Sequence, residues 1–310
     1  MIRLACVACM DENKSVHTTT WLRAIDLARE FLLPPQVTLK LFDDNADARR
    51  ASETAQQIVA WSPNAIVGHF ASAAAEAAAP LYAQHNLPLF LPAATAKHLT
   101  SYPTTWRLCD NDEDYACWLL PLLTSQGQDT VAIDHDGSVH GKSVAHQLSA
   151  AIKQATRPKP QHAATTFFAG SFRYALKRAI SWAHCSPKEA RLILTDDAFS
   201  AELVPALLAN GIDLGSRQIY VAAITPQPTG QITSTLASAW HQRWGGAPGC
   251  YFWETMAALQ VACQYPDFPA QTLFGMLNFD AQREIHPASF SLWQATYSGL
   301  QIVQAPKVII

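Results

Sequence analysis

Two turns built from small residues carry the clearest chemical signal in the sequence. One is Gly68–Ser72 and the other is Pro92–Thr95, and each follows an apolar run. We predict that Ser72 caps a helix over Ala73–Gln84, whose alanines have high helix propensity. The second turn leads from a predicted strand over Leu87–Leu91 toward another short helix. Helix N-termini offer unpaired N–H groups and the positive end of the helix dipole, so this edge suits a carboxylate or another small anion.

The side chains at these two turns leave room for a ligand. The candidate ligand-binding residues are Ser72, Ala93, Ala94 and Thr95. The same residues are also typical of two ordinary strand-to-helix turns that bind nothing. From these residues alone, both interpretations stay open.

A third turn, Gly137–Ser143, follows a predicted strand and opens a helix, so it resembles a phosphate-binding loop. Three residues separate its glycines where that motif requires four. We therefore interpret it as another ligand-facing turn, from which His140 projects. Asp196 and Asp197 follow a further strand, where an acid either caps the next helix or pairs with a ligand cation. His140 and Asp197 complete the set of candidate ligand-binding residues.

The sequence shows no apparatus for catalysis. Its 11 histidines form no His-Glu-x-x-His pair, and there is no Gly-x-Ser-x-Gly turn. Asp43, Asp44 and Asp47 lie where a strand ends and a helix begins, so capping explains them better than a metal site. We expect a protein that is not an enzyme and has no cofactor and no metal. A hydrolase that depends on Cys6 or His140 is the enzymatic alternative.

Composition favours a two-lobed protein with small-molecule partners. A chain of 310 residues exceeds the usual limit of one core, and 49% hydrophobic residues are enough to fill two. The net charge of −3, without a cluster of lysine or arginine, argues against nucleic acid or anionic lipid as a direct partner. No apolar run is long enough for a membrane span, so we expect no membrane insertion.

The seven cysteines are scattered, which predicts reduced, packed thiols rather than disulfides. Cys6 and Cys9 form a Cys-x-x-Cys pair without the second pair that a zinc site requires. The apolar run at the N-terminus is too short for a secretory signal. We therefore expect a cytoplasmic protein from the sequence as written, and a periplasmic one if the native signal is missing from it.

Strand-like and helical runs alternate in βα order, which predicts parallel sheets covered on both faces. The predicted strands are Ile2–Ala8, Val37–Phe42, Val131–Asp134, Arg191–Thr195 and Ile219–Ala223. The predicted helices are Thr20–Phe31, Ala48–Trp61, Ser143–Gln154, Ser200–Asn210 and Tyr251–Gln264.

A family resemblance spans nearly the whole chain. Taken in order, the segments LFDDNADARRASETAQQIV, AIVGHFASAAAEAAAPLY, LPLFLPAATAKHLT, VAIDHDGSVHGKSVAHQLSAAI, YFWETMAALQVA and GMLNFDAQREIHPASFSLWQ resemble the type 1 periplasmic binding proteins of the Leu/Ile/Val-binding branch. That branch includes cytoplasmic amide sensors. The resemblance implies an α/β fold of two doubly wound parallel-sheet lobes, joined by three crossovers and closing over a ligand in the cleft between them. It places the N-terminal lobe at residues 1–117 plus 242–288 and the C-terminal lobe at 118–241 plus 289–310.

The resemblance also implies roles for the site residues. Positions that hold the α-carboxylate and α-amino groups of an amino acid match Ser72, Ala93 and Thr95. His140 stands where the family has a tyrosine, and the acid that pairs with the ligand's ammonium has no match around Ala223–Thr225. An amide, a urea-like compound or a carboxylate without an amine is therefore as plausible a ligand as an amino acid.

Two outputs of ligand binding fit this resemblance. The first is solute delivery to the permease of an ABC-type importer, and the second is cytoplasmic sensing that acts through a regulatory protein. A cysteine pair present in some exported members falls on Ala46 and Ala71, which favours the sensor. Family frequency favours the importer, and we expect the importer component first.

Overall fold

The computed structural model describes residues 1–124, 131–154, 165–285 and 290–304. Packing divides these residues into two compact units. The first contains residues 1–110 and 226–285, and the second contains residues 111–225 and 290–304. The chain passes from the first unit to the second at 110/111, returns at 225/226, and enters the second again between residues 285 and 290. The predicted borders at 117/118 and 241/242 lie inside helices, each of which packs as a whole within one unit.

The elements are numbered along the chain. The strands are β1 (Ile2–Ala8), β2 (Val37–Asp43), β3 (Ala65–Gly68), β4 (Leu89–Leu91), β5 (Thr105–Arg107), β6 (Val131–His135), β7 (Thr165–Ala169), β8 (Arg191–Leu194), β9 (Gln218–Ile224), β10 (Ala270–Thr272), β11 (Gly275–Leu277), β12 (Phe290–Thr296) and β13 (Gly299–Gln304). The α-helices are α1 (Thr18–Phe31), α2 (Ala48–Trp61), α3 (Ser72–Gln84), α4 (Asp112–Thr124), α5 (Val139–Gln154), α6 (Phe172–Cys185), α7 (Leu203–Ala209), α8 (Gln231–Trp244) and α9 (Phe252–Gln264). Two short 3₁₀ helices cover Lys97–Ser101 and Asp196–Ala198.

The first unit is built on a parallel sheet with the strand order β2-β1-β3-β4-β5. The inner strand β1 lies between β2 and β3, and its apolar residues from Leu4 to Ala8 are buried because helices cover the sheet on both sides. The helix α1 buries Trp21, Ile25 and Ala28 on one face. Asp47 accepts a hydrogen bond from the N–H of Arg50 at 2.9 Å and caps α2, which confirms its predicted role.

The second unit contains a sheet with the order β13-β12-β9-β8-β7-β6. The strands β6 to β9 are parallel, while β12 pairs antiparallel with both β9 and β13. The predicted α/β class with doubly wound lobes is confirmed, and an antiparallel pair at one edge is added to it. Such an edge is common on otherwise parallel sheets because a short turn suffices to join antiparallel neighbours.

Several predicted boundaries shift for local reasons. The strand predicted from Leu87 begins at Leu89, because the N–H of Leu87 still bonds to Tyr82 at the end of α3. The helix predicted from Ser143 begins at Val139, directly after a turn closed by side-chain hydrogen bonds. The helices α4, α6 and α8, the strands β5 and β7 and the strands β10 to β13 were not among the predicted elements.

The seven cysteines are free thiols, but Cys117 and Cys185 are exposed, so the predicted packing of the thiols is wrong for these two. Cys6 is fully buried, and burial raises the pKa of its thiol to about 12, so the reactive thiolate is strongly disfavoured there. In the part of the chain that the structure describes, no helix combines the length and apolar character needed to cross a membrane.

Candidate functional site

The first candidate corner lies where β3 and β4 end. These strands are parallel neighbours, so the turns that follow them meet at one edge of the sheet. Ser72 is the first residue of α3, and the capping position belongs to Ala71, which makes no side-chain capping bond. The predicted capping role of Ser72 is therefore wrong. Its hydroxyl reaches across to the second turn instead and accepts a hydrogen bond from the N–H of Ala96 at 3.2 Å.

This arrangement leaves donors available at the corner. A serine hydroxyl that accepts one hydrogen bond still has its own proton to donate. The first intrahelical bond of α3 starts from the N–H of Ala74, so the N–H groups of Ser72 and Ala73 precede the hydrogen-bonded ladder. Ala93 and Ala94 are buried and small. A hydroxyl proton, two N–H groups and the positive end of a helix together suit a carboxylate.

The turn that carries Thr95 is held by Arg107, a residue that the sequence analysis missed. Arg107 is fully buried at the end of β5. Its guanidinium donates to the carbonyl of Thr95 at 3.2 Å and to that of Ala96 at 2.6 Å. It also lies 3.3 Å from the Glu284 carboxylate, which accepts a hydrogen bond from the hydroxyl of Thr100. A charged residue within the buried segment Trp106-Arg107-Leu108 was the signal in the sequence.

A second buried group holds the turn before Ser72. Nδ1 of His69 lies 2.7 Å from the Asp44 carboxylate, and Nε2 lies 3.0 Å from the Tyr82 hydroxyl. With Nδ1 protonated, the ring donates to Asp44 and accepts the tyrosine proton. Asp44 also accepts from the N–H of Ala46, so it closes the turn before α2 and braces His69 at the same time. Both nitrogens of His69 are occupied, so its role is to position the turn.

The second candidate corner belongs to the second unit. His140 lies in the first turn of α5 and is 27% exposed. Its Nδ1 is 3.7 Å from the Asp112 carboxylate, and its Nε2 is 3.8 Å from that of Asp196. Burial lowers the pKa of His140, but Asp112, Asp196, Asp197 and Asp136 outweigh that effect and raise the pKa above its ordinary value. The structure thus brings His140 and Asp197 into one electrostatic group, in which Asp112 and Asp196 lie nearest to the ring.

The glycine-bearing turn around His140 uses its own N–H groups. The carboxylate of Asp136 accepts from the N–H of Ser138, and the Ser138 hydroxyl accepts from the N–H of Gly141, both at 2.9 Å. A side chain at Gly141 would lie 2.6 Å from that carboxylate, so glycine leaves the space that Asp136 requires. The N–H groups of this turn therefore bond to a carboxylate and a hydroxyl of the turn itself. In a phosphate-binding loop, such N–H groups would bind the phosphate of a ligand.

Glu254 in α9 of the first unit is fully buried, and neither of its carboxylate oxygens has a hydrogen-bond partner among the residues that the structure describes. Burial raises the pKa of Glu254 well above its ordinary value, and the nearby charge of Asp110 adds to that effect. A raised folded-state pKa gives stability that is present below the unfolded pKa and is lost as pH rises. Above roughly pH 4.3, the free energy of unfolding of the original protein should decrease by about 1.4 kcal/mol per pH unit. The variant Glu254→Gln should not show this decrease. Urea unfolding of both proteins between pH 4.5 and 7 measures this difference.

Glu53 provides the matched control, because its side chain is 47% exposed on α2. Glu53→Gln is expected to change the free energy of unfolding by less than about 0.5 kcal/mol at every pH. Parallel pH profiles for the Glu254→Gln variant and the original protein would show that Glu254 is ionised in the folded state and would contradict the prediction.

Comparison with known proteins gives the family context of these corners. The family model described as "Periplasmic binding protein" matches residues 24–228. The Leu/Ile/Val/Thr-binding protein of Salmonella typhimurium is 27% identical over 119 residues, which are 36% of this chain and 32% of that protein. The Leu/Ile/Val/Thr/Ala-binding protein of Pseudomonas aeruginosa is 25% identical over 118 residues, which are 37% of this chain and 32% of that protein. The matched segment thus spans about a third of the length of these relatives.

Solved structures share the fold over nearly the whole chain. The leucine-binding protein LivK of Thermotoga maritima superposes with a TM-score of 0.82 at 14% identity and covers 99% of both chains. A solute-binding protein of an ABC transporter from R. palustris, solved with benzoate, gives a TM-score of 0.75 at 12% identity, with 100% of this chain and 98% of that chain covered. At these identities the similarity shows a common fold.

Proposed function

Because the chain belongs to the periplasmic binding protein family, we propose that it is a non-enzymatic, periplasmic solute-binding component of an ABC-type importer. The observation that carries the proposal is the corner of the first unit, where Ser72 and the start of α3 direct donors to one edge of the sheet. The ligand is a small polar metabolite with a carboxylate or a comparable acceptor, held by Ser72, Ala93, Ala94 and Thr95. His140 and Asp197 complete the proposed set of ligand-binding residues, and a permease receives the ligand.

The relatives support this range of ligands. Those matched by sequence are named for binding branched-chain amino acids, and the solved structures include complexes with isoleucine and with benzoate. A carboxylate is common to these ligands, which agrees with the donors at the first corner. The α-amino group is present in the amino acids but not in benzoate, so the ligands of these relatives differ in whether they carry an amine.

A cytoplasmic sensor of the amide-sensor type is the alternative function. Ala46 and Ala71, at the positions of a cysteine pair in some exported members, favour it, as does the absence of an acid around Ala223–Thr225. Reconstitution with the candidate permease and its ATPase separates the two functions. Ligand-dependent ATP hydrolysis supports the importer, whereas ligand-dependent association with a regulator supports the sensor.

The first experiment is a thermal-shift screen of amino acids, 2-hydroxy acids, amides, ureas and short carboxylates, followed by calorimetry on each compound that binds. A ligand at 100 times its Kd is expected to stabilise the protein by about 2.7 kcal/mol. Ser72→Ala is expected to raise the Kd of that ligand by about 10- to 100-fold, because it removes one charge-assisted hydrogen bond to the ligand and the contact that joins the two turns.

Ser52→Ala is the control for this substitution, because Ser52 is exposed on α2 and its hydroxyl bonds only to backbone carbonyls. Its Kd should match that of the original protein. An unchanged Kd in both Ser72→Ala and Thr95→Ala would place the ligand away from this corner. Failure of every compound class to stabilise the protein would reject the proposed function itself.

A further inference from the structure

Four aromatic rings of the first unit pack together beside the corner that carries Ser72. Phe70 precedes Ser72 in the turn after β3, His17 and Trp21 lie at the start of α1, and Tyr251 lies directly before α9. The centroid of the Phe70 ring is 6.2 Å from that of Tyr251 and 6.3 Å from that of Trp21. The strands β1 and β3 are parallel neighbours, so the turns that follow them lie at one edge of the sheet. The rings and the first candidate corner therefore share that edge.

The contacts of the Phe70 ring fix its orientation. Its planes relative to Trp21 and Tyr251 differ by 69° and 81°, which are edge-to-face arrangements that the quadrupoles of aromatic rings favour. Trp21 is fully buried and Tyr251 is 3% exposed, so the core holds both partners in place. Tyr251 has φ at +66°, a conformation that bulky residues rarely adopt and that the surrounding structure must impose. The ring of Phe70 is thus oriented before any ligand arrives.

Phe70 is half-buried, unlike the two rings that hold it. One residue separates it from Ser72, so the Cα atoms of the two residues are at most about 7 Å apart. The donors at the start of α3 and the exposed part of Phe70 are therefore within reach of one small molecule. A carboxylate held by those donors would place the group that it is attached to beside this ring.

We propose that Phe70 determines specificity at this corner and that the ligand is a carboxylate that carries an aromatic ring. This inference rests on the proposed function and names the class of its ligand. A ligand ring beside Phe70 gains an aromatic pair contact in addition to the apolar area that it buries. A saturated ring of the same carbon skeleton buries its surface without that contact. Because Phe70 is already immobile, it loses little freedom when the ligand ring contacts it.

Matched pairs of carboxylates test this preference directly. Benzoate and cyclohexanecarboxylate differ only in the aromaticity of the ring, as do phenylalanine and 3-cyclohexylalanine. Calorimetry is expected to show that the original protein binds the aromatic member of each pair about 2- to 10-fold more tightly. Burial alone predicts the opposite order, because the saturated ring has the larger apolar surface. Equal or tighter binding of the saturated member in every pair that binds would overturn the inference without any variant.

Phe70→Leu assigns the preference to this ring. Leucine keeps an apolar side chain but has no π-system, so the two members of a pair should bind within about twofold of each other in this variant. Phe42→Leu is the matched control. Phe42 packs against Trp61 at 6.0 Å in the core on the opposite face of the same sheet. This control should retain the full preference for the aromatic member.

The outcomes separate this inference from the function on which it rests. If carboxylates bind in a Ser72-dependent way without an aromatic preference, or with one that persists in Phe70→Leu, the inference alone is overturned. If no carboxylate binds, the proposed function fails and this inference fails with it. If Phe70→Leu does not fold, NMR on the original protein replaces it. Nuclear Overhauser contacts between the ring protons of bound benzoate and those of Phe70 would support the inference, and their absence would overturn it.

Discussion

Arg107→Met is expected to lower the free energy of unfolding by about 3 to 5 kcal/mol, because it leaves the buried carboxylate of Glu284 without its cation. The carbonyls of Thr95 and Ala96 lose their donors in the same substitution. Methionine fills much of the space of the arginine stem, so the loss is electrostatic rather than a cavity effect. Urea unfolding at pH 7 measures it, and calorimetry on any variant that folds is expected to show weakened ligand binding, since the guanidinium fixes the Thr95 turn.

Arg49→Met is the matched control, because Arg49 is 90% exposed and pairs with Glu53 on the surface of α2. An exposed pair of this kind contributes less than about 1 kcal/mol. A double variant that also replaces Glu284 with glutamine should recover part of the stability, because no unpaired charge then remains in the core. If Arg107→Met and Arg49→Met prove equally stable, the buried ion pair does not hold this turn.

Gly68→Ala is expected to destabilise the protein by at least about 4 kcal/mol. Gly68 ends β3 with φ at +127°, and an added Cβ would lie 1.8 Å from the carbonyl oxygen of Val7. Val7 belongs to the neighbouring strand β1, so relief would require the central part of the sheet to separate. Denaturant unfolding, or the absence of a folded protein on expression, measures the effect. The result would show that the first corner depends on close approach of two backbones.

Gly245→Ala is the control that distinguishes the steric clash at Gly68 from the cost of a positive φ. Gly245 ends α8 with φ at +72°, and an added Cβ there would meet nothing within 4 Å. Its ψ is 170°, so an alanine there would adopt a backbone conformation that is essentially restricted to glycine, at a cost of about 1 to 3 kcal/mol. Comparable losses in the two variants would mean that β1 and β3 separate easily, against our expectation.

Sequence patterns were sufficient where the signal is local or periodic. The strand β1 and the helix α2 have the predicted bounds, because a continuous apolar run defines the first and an aspartate cap with a regular apolar stripe defines the second. The turns at Ser72 and Thr95 could also be placed, since small residues after apolar strands are typical of such turns. The helix α4 was missed, because its apolar residues lie on all sides and Pro121 interrupts the pattern.

The contacts that organise the corners could not be predicted in this way. Arg107 and Glu284 are brought together only by the folded first unit, and nothing in the local sequence of either points to the other. Asp44 appeared as one of three turn acids, and only the packing of α3 against the end of β3 shows that it pairs with His69. His140 was predicted to face a ligand, whereas its position between Asp112 and Asp196 depends on the spacing of three separate elements.

The bond between Ser72 and the N–H of Ala96 has a consequence for the thermodynamics of recognition. It joins the two turns before any ligand arrives, and the His69 and Arg107 contacts fix the backbone on either side. Groups that are already immobile lose little freedom when they are contacted. At this corner, ligand binding should therefore be accompanied by only a small unfavourable change in the configurational entropy of the protein.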